Sequence, residues 1–304
     1  MASQDPARVV VLMGGWTSEA AVSRVSGAFC TKAARGAGWD AIEVELDRDI
    51  AIRLKDINPS RVFNALHGQV GEDGSIQGLL NIMGIPYTHS GVVASAMAMD
   101  KILSRQLFQA HGISVPPRLS LQDDGTSVSP QDYDGDYVIK PTNEGSSVGV
   151  EIVTAGSAPK QLDHWPVGTN LFAEVYIPGR ELTVSVLDGT ALGVTEIQSP
   201  TSFYDFDAKY KVGGSEHILP ADIEKTIYEL ALDWAETAYR ALGCRGVARA
   251  DYRFDDKNNA LYLLEMNTQP GMTATSLVPE QAIWRGISGE ELVNHLLETA
   301  QCDD

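Results

Sequence analysis

Leu261-Tyr-Leu-Leu-Glu-Met-Asn-Thr-Gln-Pro-Gly-Met272, taken with Arg249-Ala-Asp251 just upstream, is the stretch around which the chain is organised. Both segments alternate as strands do, and Asp255-Asp-Lys-Asn-Asn259 between them has the composition of a turn. An antiparallel hairpin centred near Asn258 places Asp251 opposite Glu265 and Arg249 opposite Asn267. Side chains two apart share a strand face, so all four project from one side. Two carboxylates and an amide carbonyl on one face form a small set of hard oxygen ligands. Mg²⁺ takes such a set and completes its shell with water and nucleotide phosphates. The alternative is the polar face of a solvated hairpin. The apolar neighbours Leu261, Tyr262, Leu263 and Leu264 favour a strand buried on both faces, where acids need partners.

The chain has 304 residues, room for two or three domains. Its 23 lysines and arginines stand against 41 aspartates and glutamates, a net charge of −18, which argues against a nucleic-acid or anionic-membrane partner. Any anionic ligand must then be held by local cations, so each well-placed Lys or Arg is informative. Cys30, Cys244 and Cys302 are too few and scattered for a disulfide framework or a zinc site, as expected of a cytoplasmic protein. There is no signal-peptide layout at the start and no apolar run long enough to span a bilayer.

In chain order, Val9-Val-Val-Leu-Met13 reads as a buried strand, followed by Gly14-Gly15 and a helix over 17–35 with Glu19 in its first turn. That layout resembles the opening of a doubly wound α/β domain without being a dinucleotide fingerprint. A second strand, Val62-Phe-Asn-Ala-Leu66, runs into His67-Gly-Gln-Val-Gly-Glu-Asp-Gly74, the type of strand end where α/β sheets bind ligands. Ser75 is expected to cap a helix ending at Met83, with Gly84 closing it and Ile85-Pro-Tyr87 forming a third strand. Asp100 is expected to cap a helix from Lys101 to Ala110. The strand Asp136-Tyr-Val-Ile-Lys140-Pro141 leads into Glu144-Gly-Ser-Ser-Val-Gly149. Alone, that turn would be an ordinary hairpin loop; beside Lys140 it reads as a flexible cover for phosphates, though not a P-loop. Glu174 and Glu181 flank the turn at Pro178-Gly179 between two further strands. A helix with Pro220 near its start carries Ile223, Ile227, Leu230, Trp234 and Ala238 as its apolar stripe and stops at Gly243. A last helix runs over 289–300.

Several further stretches now matter together. They are Gly14-Gly15 with Glu19 and Ser23, His67-Gly with Gly71-Glu-Asp-Gly74, Met99-Asp-Lys101, and Lys140-Pro with Glu144-Gly-Ser-Ser-Val-Gly149. Phe203-Tyr-Asp with Ala208-Lys-Tyr210, Arg249 with Asp251, Glu265-Met-Asn-Thr with Pro270-Gly-Met272, and Ser276-Leu-Val-Pro279 follow in the same order. From about Val9 to Leu297 this series resembles the D-alanine–D-alanine ligases of the ATP-grasp class. The resemblance implies an α/β protein: an N-terminal doubly wound parallel-sheet domain (1–97), then a two-part ATP-grasp α+β module (98–180 and 181–304). It implies ATP-dependent joining of two D-alanines through a D-alanyl phosphate for peptidoglycan precursor synthesis, with another ATP-grasp carboxylate–amine ligase, or one of the D-alanine–D-lactate or D-serine type, as the alternative.

Residue by residue, the resemblance implies that Lys101, Lys140, Glu174 and Glu181 clamp the nucleotide, Ser146 and Ser147 cover its phosphates, and Lys209 reaches a phosphate. Asp251, Glu265 and Asn267 would hold two Mg²⁺, with Mn²⁺ able to replace them. Glu19 would hold the first D-alanine's ammonium, linked to Ser146 and Tyr210, and His67 would line that subsite. Arg249 and the Gly271 N–H would form an oxyanion hole, while Ser276 and Leu277 place the second carboxylate. A cytoplasmic homodimer is implied too. The chain departs from the family pattern after Tyr210, at Lys211-Val-Gly-Gly-Ser-Glu-His217, and around Trp16-Thr-Ser-Glu-Ala-Ala21, which is less charged than expected. Tyr210 leans toward D-alanine over D-lactate as second substrate.

Overall fold

A computed structural model describes residues 7–143, 145, 149–198 and 215–303. Strand β1 (Arg8–Met13) is the middle of a three-stranded parallel sheet between β2 (Asp40–Glu45) and β3 (Arg61–Asn64). Both faces of β1 are buried. Val9 and Val11 pack with α1 (Ala20–Gly36), while Val10 and Leu12 pack toward α2 (Ile50–Ile57) and α3 (Ser75–Met83). This is the two-sided burial that continuous apolar strands demand. Glu19 stands just before the first turn of α1 rather than inside it, because Ser23 N–H bonds the Glu19 carbonyl and the helix starts at Ala20. The expected third strand shrinks to a single parallel bridge between Val62 and Tyr87, since Pro86 has no N–H to extend a ladder. Ser75 does not cap α3. Gly74 precedes the helix without a side-chain cap, and Asp73 before it ties the turn, accepting from Ser75 N–H at 2.9 Å and from Val70 N–H at 2.9 Å.

Helix α4 (Val92–Met99) is followed by α5 (Lys101–Ala110), whose cap is as expected: Asp100 accepts from the N–H groups of Ile102 at 2.9 Å and Leu103 at 3.0 Å, a contact worth ~1 kcal/mol. Next come β4 (Arg118–Leu119), β5 (Leu121–Asp123), β6 (Ser127–Pro130), β7 (Tyr137–Pro141), β8 (Glu151–Val153), β9 (Lys160–Gln161) and β10 (Leu171–Val175). They form an antiparallel sheet in the order β4-β10-β7-β8 and a smaller one in the order β5-β6-β9.

The largest sheet is antiparallel, in the order β13-β12-β11-β14-β15. Its strands are β11 (Arg180–Leu187), β12 (Thr190–Gln198), β13 (Glu216–Ile218), β14 (Val247–Asp255) and β15 (Ala260–Asn267). One face carries Leu182, Val184, Ala248, Ala250, Tyr252, Leu263 and Met266, packed on α6 (Lys225–Leu242). The buried line of α6 is Ile227, Ala231, Ala235, Ala238, Tyr239 and Leu242. Alanines let the helix axis approach the sheet, so the bulkier Ile223, Leu230 and Trp234 flank that line instead of forming it. Pro220 stands well ahead of this helix, because Ala221 N–H is tied to the Val194 carbonyl of β12 and the first turn forms only after Glu224. Gly243, left-handed at φ +71, ends it. Helices α7 (Leu277–Trp284) and α8 (Gly289–Glu298) close the chain, and α8 packs its Leu292, Val293, Leu296 and Leu297 into the core beside α1 and β3. A capping box between Ser288 and Glu291 starts α8.

Candidate active site

The face of the large sheet opposite α6 is polar: Glu181, Thr183 and Ser185 on β11, Arg249, Asp251 and Arg253 on β14, Glu265 and Asn267 on β15. The pairing of Asp251 with Glu265 and of Arg249 with Asn267 is the register read from the alternation. The route to it is less regular than that reading assumed. From the turn to Tyr252 the ladder pairs Tyr252 with Leu263; Leu264 is then the extra residue of a bulge, and Asp251 meets Glu265. Without the bulge, the period of two would carry Glu265 onto the face of Leu261 and Leu263, into the core. The bulge therefore sets Glu265 beside Asp251 and away from the core. Tyr262 and Leu264 are half-buried rather than enclosed.

Arg249 forks onto Asp251, Nε to Oδ1 at 2.8 Å and Nη2 to Oδ2 at 2.6 Å, a fixed bidentate geometry. Thr183 Oγ1 donates to the same Oδ1 at 2.7 Å. Lys101, 8% exposed, extends from the start of α5 to within 3.7 Å of Glu265 Oε2. Burial pulls its ammonium below the usual lysine range, with Glu265 opposing and Lys140 adding to the depression. Glu72, Lys101, Gly145, Glu265 and Asn267 line one cavity.

On the smaller sheet, Lys140 faces Phe172 across the ladder and bonds Glu174 Oε1 at 2.6 Å, while Arg105 bonds Glu174 Oε2. Both cations lie over the Phe172 ring, at 5.3 Å for Lys140 and 5.7 Å for Arg105. Two cations on one carboxylate leave a net positive, buried cluster suited to an anion. Glu181 pairs with Arg253 at 3.7 Å.

At the ends of the parallel strands, His67 is buried, with Nε2 2.9 Å from Ser26 Oγ and Nδ1 3.5 Å from Glu72 Oε1. Gly68, at φ +72, lies against the Glu19 carboxylate so closely that any β-carbon there would collide with it. A β-carbon on Gly145 would lie 3.5 Å from Glu19 and 3.6 Å from Glu72, so both acids border the start of the glycine-rich turn. Ser276 Oγ accepts from Thr273 N–H at 2.9 Å and would touch a β-carbon on Gly271 at 3.0 Å, which joins the two segments expected to hold the oxyanion and the second carboxylate. Ser276 precedes α7, and Leu277 begins it.

Models of the D-ala D-ala ligase C-terminus and N-terminus match residues 107–298 and 51–90. The D-alanine--D-alanine ligase of Rhodospirillum rubrum is 51% identical over 301 residues, covering 97% of this chain and 99% of its own. That of Methylorubrum populi is 51% identical over 301 residues, covering 96% and 97%. This chain belongs to the D-alanine–D-alanine ligase family. Among solved structures, the Bacillus anthracis D-alanine–D-alanine ligase complexed with ATP superposes with TM-score 0.79 at 27% identity, over 96% of this chain and 97% of that one. The α/β class, with a parallel N-terminal sheet and antiparallel sheets after it, is the one expected for this family.

The structure thus brings together Glu19 with Gly68, next to His67, Lys140 with Glu174, and Lys101 with Glu265 of the hairpin. Ser146, Ser147, Lys209 and Tyr210 lie outside the described residues. Of the segment that departs from the family pattern, His217 turns to Glu280 of α7 at 3.0 Å. Arg105 escaped the sequence reading. Its signal is a basic residue four positions after Lys101, on the helix stripe that also buries Ser104 and Phe108. Thr183 was likewise visible as the polar alternate between Glu181 and Ser185.

Proposed function

We propose that this chain joins two molecules of D-alanine to D-alanyl-D-alanine, converting ATP to ADP and phosphate through a D-alanyl phosphate. The carrying observation is the polar face on which Arg249, Asp251, Glu265 and Asn267 stand in register, in a member of this family. Relatives bearing that name at about half identity over nearly the whole chain favour D-alanine over D-lactate or D-serine as second substrate.

In the first step the carboxylate of one D-alanine attacks the γ-phosphorus, and ADP leaves. Glu19 holds the ammonium of that D-alanine and His67, oriented by Ser26 and Glu72, lines the subsite. Lys140 and Arg105, gathered on Glu174, and Lys101 offset the charge of the nucleotide, whose adenosine end meets Glu174 and Glu181. Asp251, Glu265 and Asn267 would hold two Mg²⁺, or Mn²⁺. Among the described residues no three His, Cys, Asp or Glu side chains gather as a metal cage, and the donor set of two acids and an amide suits an ion finished by phosphate oxygens. When bound, the metal offsets the repulsion between attacking carboxylate and phosphate. In the second step the neutral amine of the other D-alanine, its carboxylate placed by Ser276 and Leu277, attacks the acyl carbon. Arg249 and Gly271 N–H face the developing oxyanion, and phosphate leaves. The family resemblance assigns phosphate covering to Ser146 and Ser147, a phosphate contact to Lys209 and a link to Glu19 to Tyr210, roles that lie outside the described residues and would serve to keep water from the acyl phosphate.

Among the described residues no helix is long and apolar enough to cross a membrane. A cytoplasmic homodimer fits the free thiols of Cys30, Cys244 and Cys302 and the exposed Ile82 and Val93 on neighbouring α3 and α4. With D-alanine as sole amino acid, ATP and Mg²⁺, one phosphate should appear per dipeptide detected by mass spectrometry. Phosphate release indifferent to D-alanine would refute the assignment.

A further inference from the structure

We infer that Gln269 is a positioning residue, whose buried side-chain amide clamps the segment between Asn267 and Gly271 to the N-terminal sheet. The inference rests on the function proposed above. Gln269 is 1% exposed. Its backbone N–H donates to Asn267 Oδ1 at 3.0 Å, fixing the direction of the amide expected at the metal. Its side-chain Nε2 donates to the carbonyl of Asn64 at the end of β3, more than two hundred residues away in sequence.

Asn64 passes that contact on. Its own N–H donates to Thr88 Oγ1 at 3.0 Å, its Oδ1 accepts from Leu66 N–H at 3.1 Å, and its Nδ2 donates to the Gly71 carbonyl at 3.0 Å. Leu66 and Gly71 bracket the loop that carries His67, and Glu72 follows it. A second thread runs in parallel: Met272 N–H donates to Ser26 Oγ at 3.3 Å, and Ser26 Oγ lies 2.9 Å from His67 Nε2. The oxyanion segment and the amino-acid pocket are thereby held to one frame.

Two features argue that the donor itself is what the site requires. Among the described residues Gln269 Oε1 is buried without a partner, a cost that a methionine of similar volume would not carry. The His89 ring also lies against the amide, both ring nitrogens at 3.4–3.5 Å from Gln269 Nε2. Burial holds that ring neutral, so it places no cation beside the amide.

The test is kinetic. Gln269→Met should lower kcat at least tenfold and leave KM for ATP within about twofold. Exchange of the 268–272 backbone amides should speed up tenfold or more, a reading independent of turnover. Wild-type kcat in Gln269→Met, or unchanged exchange of the 268–272 amides, would overturn the inference. Wild-type protein lacking D-alanine-dependent turnover would instead sink the proposed function, while amide exchange would still report on the clamp.

Discussion

Gln281→Leu examines how the face that carries Asp251 is held. Gln281 is fully buried on α7, and its side chain fills a gap in the β11–β12 ladder, where the register shifts between Val184 and Val186. Oε1 accepts from Ser185 N–H at 2.8 Å, and Nε2 donates to the Thr183 carbonyl at 3.2 Å and to Thr195 Oγ1 at 3.0 Å. Leucine nearly preserves volume but strands Ser185 N–H, at ~1–3 kcal/mol, and removes two further bonds worth ~0.5–1.5 kcal/mol each. Apolar burial returns ~1 kcal/mol, leaving a net loss of about 1–5 kcal/mol. Urea unfolding should show the midpoint falling at unchanged m-value. Because Gln281 ties α7, and with it Ser276 and Leu277, to the strand whose Thr183 supports Asp251, KM for the second D-alanine should rise more than KM for ATP. A loss under ~0.5 kcal/mol would refute the reasoning, since a buried donor cannot be stranded so cheaply.

Arg249→Lys should lower kcat by about 10²–10³, because a point ammonium cannot keep the fork on Asp251 and face an oxyanion as well; steady-state phosphate release checks this. The His89 imidazole is pushed down to about 3, chiefly by burial, then by the field of His67. The unfolded chain binds that proton near the ordinary 6.5, so the native state keeps this stability above about pH 6.5 and loses it as pH falls toward 3, by up to ~1.4 kcal/mol per pH unit. In His89→Gln the corresponding part of the pH–stability curve should flatten; an unchanged acid limb would contradict the assignment.

The hairpin was legible because a period of two and a turn of Asp, Lys and Asn fix which residues face each other, whatever surrounds them. The bulge at Leu264 was not, since a bulge depends on what lies beneath the strand: Leu263 and Met266 both reach the α6 core, and only an extra residue lets them do so. Strand β12 was overlooked because Gly193 interrupts its apolar run, yet the Trp284 ring would sit 3.0 Å from a β-carbon there, so the glycine makes room for α7. Edge strand β2 escaped for another reason: four of its six residues are not enclosed, and its apolar residues are sparse. Ion pairing was the least readable. Arg105 and Glu174 meet only because α5 crosses the small sheet, a contact between residues 69 positions apart. The glycine-rich turn was readable as a phosphate cover from its place beside Lys140, whereas the separate roles of Ser146, Ser147, Lys209 and Tyr210 were readable only through family resemblance.

The proposed activity requires acidic oxygens of β14 and β15 to act together on a nucleotide-bound metal. Mn²⁺ titration followed by electron paramagnetic resonance, with a non-hydrolysable ATP analogue present, tests this directly in wild type and Glu265→Gln. Wild type should take up two ions per chain; Glu265→Gln, with an unchanged circular dichroism spectrum, should lose at least one and release no phosphate with ATP and D-alanine. Two ions bound as tightly in the variant, with normal turnover, would show that Glu265 is no part of the metal site.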